Sequence, residues 1–274
     1  MGTKTANQMK DVQGLPDERH VALDEVGVSQ LKMPLTVQGL ERDPARAQSV
    51  QTLVSMSVSL DEDHKGIHMS RLIESFLACE EGFSLDRLAD MLTHIRERQK
   101  AERAFIEIDF DIFLQRSAPE SRKTAPQAYR VRFIGELGPD GIQRRQSVTA
   151  GITTLCPCSK EISEYGAHNQ RGELFIETEH EGTAPVRICV EELITVAENA
   201  ASAPLYPILK REDERHVTMQ AYENPRFVED VARRVAVQFR GEKRFPRYSV
   251  HIVNFESIHT HNAFAKIVRR APQA

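Results

Sequence analysis

Residues 104–115, AFIEIDFDIFLQ, carry the pattern that decides the fold. Phe105, Glu107, Asp109 and Asp111 alternate with Ile106, Ile108, Phe110 and Ile112. A period of two sends successive side chains to opposite faces, so the stretch reads as a β-strand. Residues 128–137, AYRVRFIGEL, repeat the alternation after a polar, proline-containing connection at 117–126.

Upstream the period changes. In HMSRLIESFLACEE (68–81), Met69, Leu72, Ile73, Phe76 and Leu77 fall at helical spacing. In SLDRLADMLTHIRERQ (84–99), Ser84 stands where an N-cap belongs, and Leu85, Leu88, Leu92 and Ile95 follow on one face. Further upstream, KMPLTVQ (32–38) reads as a short strand, and SVQTLVSMSVSL (49–60) alternates through Val50, Thr52, Val54, Met56, Val58 and Leu60. The order is β-β-α-α-β-β.

Downstream that order recurs. RQSVTAGITTL (145–155) and RGELFIETEHE (171–181) read as strands. CVEELITVAENAA (189–201) and NPRFVEDVARRVAVQFR (224–240) read as helices, and RYSVHIVNFES (247–257) and HNAFAKIVRR (261–270) as strands again. The repeat is one of element order, not of residues. Antiparallel strands with paired helices on one face give an α+β architecture. The expected organisation is a polar, flexible N-terminal arm over 1–30, a first unit over 31–140 and a second over 141–274. Open sheet edges favour pairing between copies, so a barrel-like oligomer is expected.

The 274 residues are 40% hydrophobic and 28% charged, as in an ordinary globular protein. The net charge is -4 and neither half is strongly basic, which gives no support to a nucleic-acid surface. No apolar run approaches the roughly 20 residues of a membrane helix. The start, MGTKTANQMKDVQ, lacks the apolar core of a secretory leader and matches only a loose acylation pattern. The expected compartment is the cytoplasm, where disulfides are not needed. Cys79 and Cys189 have apolar neighbours and read as packing residues.

Cys156 and Cys158 differ. They lie in TTLCPCSKEISEYGAHNQRG (153–172), among polar and turn residues. Cys-Pro-Cys lacks the spacing of a zinc knuckle or a thioredoxin-like pair, and no second cysteine pair completes a four-sulfur site. One thiolate and one imidazole, from His168, suit an open catalytic metal that takes about three protein ligands. Two later segments offer a further ligand. KREDERHVTMQ (210–220) carries Glu212, Asp213, Glu214 and His216, and equally reads as a solvated charged loop. NFESIHTHNAF (254–264) places Glu256, His259 and His261 just past a strand end, where they can converge.

Two more stretches have open readings. KGIHMSR (65–71) sets His68, Ser70 and Arg71 at a helix start, which suits an anion or an ordinary cap. ENPRFVEDVARR (223–234) sets Glu229 and Asp230 in a first helical turn, where the dipole alone favours acids. A carboxylate there could also grip the N–H/NH2 edge of a guanine-like ring. No phosphate-binding loop or dinucleotide fingerprint occurs.

Together, TTLCPCSKEISEYGAHNQRG, KGIHMSR, YENPRFVED and ESIHTHNAFA resemble the type IB GTP cyclohydrolases, over about residues 10–270. The resemblance implies the tunnelling fold, or T-fold. This is the β-β-α-α-β-β module, present twice per chain and assembled as a homotetramer around a barrel. It implies conversion of GTP and water to 7,8-dihydroneopterin triphosphate and formate, at the head of tetrahydrofolate synthesis, by metal-activated water attack at guanine C8. By position it implies Cys156, His168 and Glu214 as metal ligands, with Glu256 a ligand or a base. It implies His259 for proton transfer with His261 beside it, Cys158 supporting the turn, and Glu229 anchoring the purine. His68, Ser70 and Arg71 would reach the substrate from the first module or from a neighbouring subunit. Zinc, manganese and iron(II) all tolerate such a donor set. The rivals are a nitrile reductase of the same fold with a nucleophilic cysteine, an archaeal-type relative making a cyclic phosphate, and a scaffold with structural zinc.

Overall fold

Alternation and helical spacing sort the chain into one sheet and the helices that cover it. The computed structural model describes residues 11–78 and 82–270. The first half is β1 (Leu23–Gln38), β2 (Ala47–Leu60), α1 (Met69–Leu77), α2 (Leu88–Gln99), β3 (Ala104–Ser117) and β4 (Thr124–Gly138). The second half is β5 (Gly141–Leu155), α3 (Pro157–Ile162), β6 (Asn169–Glu181), α4 (Val190–Ala200), β7 (Ala203–Pro204), α5 (Arg211–Glu223), α6 (Val228–Gln238), β8 (Arg247–Asn254) and β9 (Ala263–Arg270). The sheet runs β1-β2-β3-β4-β5-β6-β8-β9, each neighbour antiparallel, with the short β7 beside β5. This is the expected α+β architecture. The sheet passes the expected 140/141 boundary unbroken, with Gly138 paired to Gly141 across the β4–β5 turn.

The apolar rows bury against the helices. Ile106, Ile108, Phe110 and Ile112 of β3 are buried, as are Val148, Ala150 and Ile152 of β5 and Leu174 and Ile176 of β6. Over them lie Leu88, Met91, Leu92 and Ile95 of α2, Leu193, Ile194 and Ala197 of α4, and Val231, Ala232 and Val235 of α6. Each fully buried Leu or Ile side chain contributes about 1.5–3 kcal/mol. Gly135 of β4 lets α2 come close, because a Cβ there would stand 2.8 Å from Leu92 Cδ1.

Polar clamps join the two halves. Asp213 of α5, fully buried, accepts from Glu120 N, Ser121 N and Ser121 Oγ in the β3–β4 hairpin and from Lys210 N. Buried Glu198 of α4 accepts from Tyr129 Oη of β4 at 2.6 Å and pairs with Arg116 of β3. Burial pushes the Glu198 carboxyl up; Tyr129 and Arg116 oppose that shift. Arg144 of β5, 1% exposed, donates to Asp86 Oδ1 at 2.8 Å and to Ala184 O at 2.6 Å. Next to it His180 is buried, and burial followed by the Arg144 charge depresses its imidazole to about 4.

Two expectations need correction. The arm expected over 1–30 is already strand from Leu23, paired to Leu60 of β2. Register shifts between Leu23 and Val26 and between Val28 and Leu31, with Gln30 at φ 58°, break the alternation that would have revealed it. Residues 210–220 are no loop: they fall mostly within α5. Only Asp213 and Ala221 of α5 are buried, so the helix shows no apolar stripe. Residues 1–10 of the arm, including the acylation pattern, and Cys79 lie outside the described residues. Cys189 is half-buried at the N-cap of α4, its thiol 3.7 Å from Glu192 Oε1.

Candidate active site

Strand β5 ends because Pro157 supplies no N–H to continue the ladder. The same proline starts α3, with Cys156 as N-cap and its Sγ accepting from Ser159 N at 3.4 Å. One further backbone bond, Cys156 N to His168 O at 3.0 Å, closes the 157–167 loop. Ser159 Oγ pins it from inside, 3.2 Å from both Cys156 O and His168 N. Cys156 and His168, both half-buried, are thereby set side by side.

The neighbouring strand brings the late segment to the same end. Asn254, the last residue of β8, pairs with Gly172 of β6, and Phe255 N donates to Arg171 O at 2.9 Å. Gly172 permits this approach, since a Cβ there would stand 2.8 Å from Val253 O. The loop that follows carries half-buried Glu256 and exposed His259 and His261. The His259 ring meets His168 edge-on at 6.4 Å and stacks on His261 at 5.1 Å.

Helices α5 and α6 reach this end as well. Arg226 N donates to Leu155 O at 2.9 Å, fixing the start of α6 beside Cys156. Of its two first-turn acids, Asp230 accepts from Phe227 N at 3.0 Å and serves as the cap. Glu229 is exposed and makes no such bond. Glu214 is exposed in the first turn of α5, next to the Asp213 clamp. The other end of α5 is tied to the cysteine loop by Lys160 Nζ, 2.5 Å from Tyr222 O and 4.2 Å from its ring centre. Cys158 is exposed on α3.

His68, Ser70 and Arg71 are placed elsewhere. His68 is the N-cap residue of α1, with Ser70 and Arg71 in its first turn. Val58 near the end of β2 pairs with Ala104, Ala104 with Leu137, and Leu137 with Ile142 at the start of β5. Cys156 follows the opposite end of β5, 15 residues long and so roughly 45–50 Å of strand away. His68 and Arg71 line a separate cavity of about 1200 Å³ with Asp11, Asp61, Glu62 and Arg103. His68 Nε2 is 3.3 Å from Asp11 Oδ2, and Arg71 Nη1 is 3.3 Å from Arg98 O.

Thiolate sulfur beside imidazole nitrogen is a donor pair that fits zinc or iron(II), and the late carboxylates suit manganese as well. Among the described residues no group of three or more His, Cys, Asp and Glu stands close enough to hold a metal. Glu214 and Glu256 stand at the same end of the sheet as the Cys156–His168 pair but are not drawn up against it.

Sequence reasoning missed Ser159, Lys160 and Gln170. Gln170 had a readable signal: it heads the row Gln170, Gly172, Leu174, Ile176, where an apolar residue is expected. Its Oε1 lies 2.9 Å from His168 Nδ1.

Comparison with known proteins places this geometry. Uricase from Arthrobacter globiformis has a similar fold at TM-score 0.53 and 8% identity, over 97% of each chain. A uricase from Bacillus fastidious gives 0.52 at 9% identity, over 90% of this chain and 93% of the other. Both share the tunnelling fold, and at such identities they speak for the fold alone. GTP cyclohydrolase FolE2 of Fervidobacterium nodosum is 40% identical over 257 residues, 94% of this chain and 96% of its own length. That of Thermosipho melanesiensis is 41% identical over the same shares of the two chains. The family model for type I GTP cyclohydrolase folE2 matches residues 9–265, and the chain belongs to that family.

Proposed function

We propose that the chain is a GTP cyclohydrolase of the type IB class, converting GTP and water to 7,8-dihydroneopterin triphosphate and formate for tetrahydrofolate synthesis. The observation that carries the reading is the Cys156–His168 rung with His259 against it, in a chain about 40% identical to GTP cyclohydrolases along nearly its whole length.

Each residue then has a task. Glu229, free of capping duty, accepts the N–H and NH2 of guanine in two hydrogen bonds and turns C8 toward the end of β5. Cys156, His168 and Glu214 would hold a divalent metal, with Glu256 as a ligand or a base. Such a metal, whether zinc, manganese or iron(II), would supply Lewis acidity that makes water nucleophilic near neutral pH. His259 moves protons at the guanine ring nitrogens as the C8–N bonds open, with stacked His261 beside it. Cys158 supports the turn.

The assembly is part of the reading. His68, Ser70 and Arg71 lie at the far end of the sheet, so they serve the site from a second copy. Among the described residues β1 and β9 are the edge strands of the sheet, and such edges suit joining into a homotetramer. Among the described residues no helix is long and apolar enough to cross a membrane. We place the enzyme in the cytoplasm, with GTP.

The test supplies GTP with zinc or manganese and follows formate and, after oxidation, pterin fluorescence. Both are expected, with a linear triphosphate on the product. A cyclic phosphate would assign the archaeal-type reaction instead. NADPH-dependent reduction of a nitrile without any pterin would overturn the reading.

A further inference from the structure

In the helix-facing rows of β5 and β6, the apolar stretch of Val148, Ala150, Ile152, Leu174 and Ile176 ends on the side toward Cys156 and His168. There Thr154 and Gln170, both buried, stand directly opposite each other. Cys156 and His168 make the next rung on the same face. A buried amide costs free energy unless both of its ends are bonded. Gln170 Nε2 donates to Thr154 Oγ1 at 2.7 Å, which turns Oε1 toward His168 Nδ1 at 2.9 Å. An amide oxygen can only accept. The proton of neutral His168 therefore sits on Nδ1, and Nε2 keeps its lone pair.

We propose that Gln170 is a positioning residue: oriented by Thr154, it holds His168 as the Nδ1–H tautomer and leaves Nε2 as the ring's free donor atom. Its purpose rests on the metal-ligand reading above; its geometry does not. A metal-binding imidazole generally donates its other N–H to a fixed acceptor, which sets both tautomer and ring orientation. The buried polar pair at the rung next to His168 supplies that acceptor. A purely structural Gln170 would fill the row equally well with its amide turned the other way, and then Nε2 of His168 would carry the proton.

The test is a two-bond 15N–1H spectrum of the metal-free protein, above the pH at which imidazole titrates, with His168 assigned by its substitution. Wild type and Gln170→Glu, whose carboxylate accepts the same proton, are expected to show Nδ1–H. Gln170→Leu, which keeps the row filled, is expected to gain the Nε2–H form. Its zinc Kd, read by chelator competition, should rise about 10–100-fold, while Gln170→Glu stays near wild type. Thr154→Val, close in shape, repeats the measurement should Gln170→Leu not fold. A wild-type spectrum with the proton on Nε2 overturns the proposal. So does a folded Gln170→Leu that retains both the Nδ1–H form and the zinc affinity. If wild type binds no zinc, the metal reading falls, whereas the tautomer shift would still uphold the positioning role.

Discussion

Cys156 and His168 face each other across the rung that closes the β5–β6 ladder, Cys156 N donating to His168 O at 3.0 Å. The backbone sets their separation, so the proposed donor pair is in place before any ligand arrives. Pro157 ends the strand and starts α3, and Ser159 locks the loop, so a long excursion returns to its own start. Such preorganisation lowers the ordering cost of binding.

Substituting either donor tests the site directly. Cys156→Ala and His168→Ala are each expected to lose bound zinc and pterin formation, with thermal melting close to wild type because both side chains are only half-buried. Metal content by atomic emission beside a melting curve decides it. A variant that keeps its metal would remove that residue from the ligand set.

Glu229 is expected to discriminate by the guanine edge. Removing a hydrogen-bonded carboxylate costs about 1.5–3 kcal/mol, or roughly 10–150-fold in KM for GTP in Glu229→Ala. Inosine triphosphate lacks the 2-amino group, so wild type should prefer GTP and Glu229→Ala should lose that preference. Equal use of both nucleotides by wild type would argue against the anchor.

The element order was legible because β2 to β4 and β6 alternate, with polar or charged residues on one face and mostly apolar residues on the other. The start of β1 was not, since its register shifts scramble the period. Helix α5 was hidden for a different reason. It is held by the Asp213 carboxylate and by Lys160 on Tyr222, not by an apolar stripe, so REDERH reads as a charged loop. In the site, Cys156 and His168 could be paired from local sequence. That His259 would lie against His168 depends on β8 pairing with β6, a non-local choice that no spacing reveals.

His180 predicts how stability follows pH. Its folded value of about 4 lies below the ordinary 6.5, so between these limits the unfolded chain binds more protons than the folded one. Its contribution is complete above pH 6.5 and is lost as pH falls from 6.5 to about 4, by about 3 kcal/mol in total. Urea midpoints at several pH values should fall across that window and fall less in His180→Gln. An identical pH slope in the variant would rule out His180 as the source.

The buried Glu198 clamp predicts a stability loss without a loss of chemistry. Tyr129→Phe takes one donor from a carboxylate that is 6% exposed and leaves Arg116 as its partner. The expected cost is about 1.5–3 kcal/mol, seen as a lower urea midpoint with kcat per folded molecule near wild type. An unchanged midpoint would mean that the hydroxyl contributes nothing net.

The placement of Arg71 predicts complementation between inactive copies. Strand pairing sets His68, Ser70 and Arg71 at one end of the sheet and Cys156 with His168 at the other, the full length of β5 apart. One GTP cannot touch both ends of one chain. Cys156→Ala and Arg71→Ala should therefore each be inactive alone, for different reasons. Mixed and reassembled at equal amounts, they form some sites that take Cys156 from one copy and Arg71 from another. In a symmetric assembly with random mixing, roughly a quarter of the sites are then intact. Activity rising to about that fraction, in proportion to subunit exchange seen by native mass spectrometry, is the expected result. Exchange without any regained activity would show that Arg71 does not serve a neighbour's site, and His68 and Ser70 would lose their assignment with it.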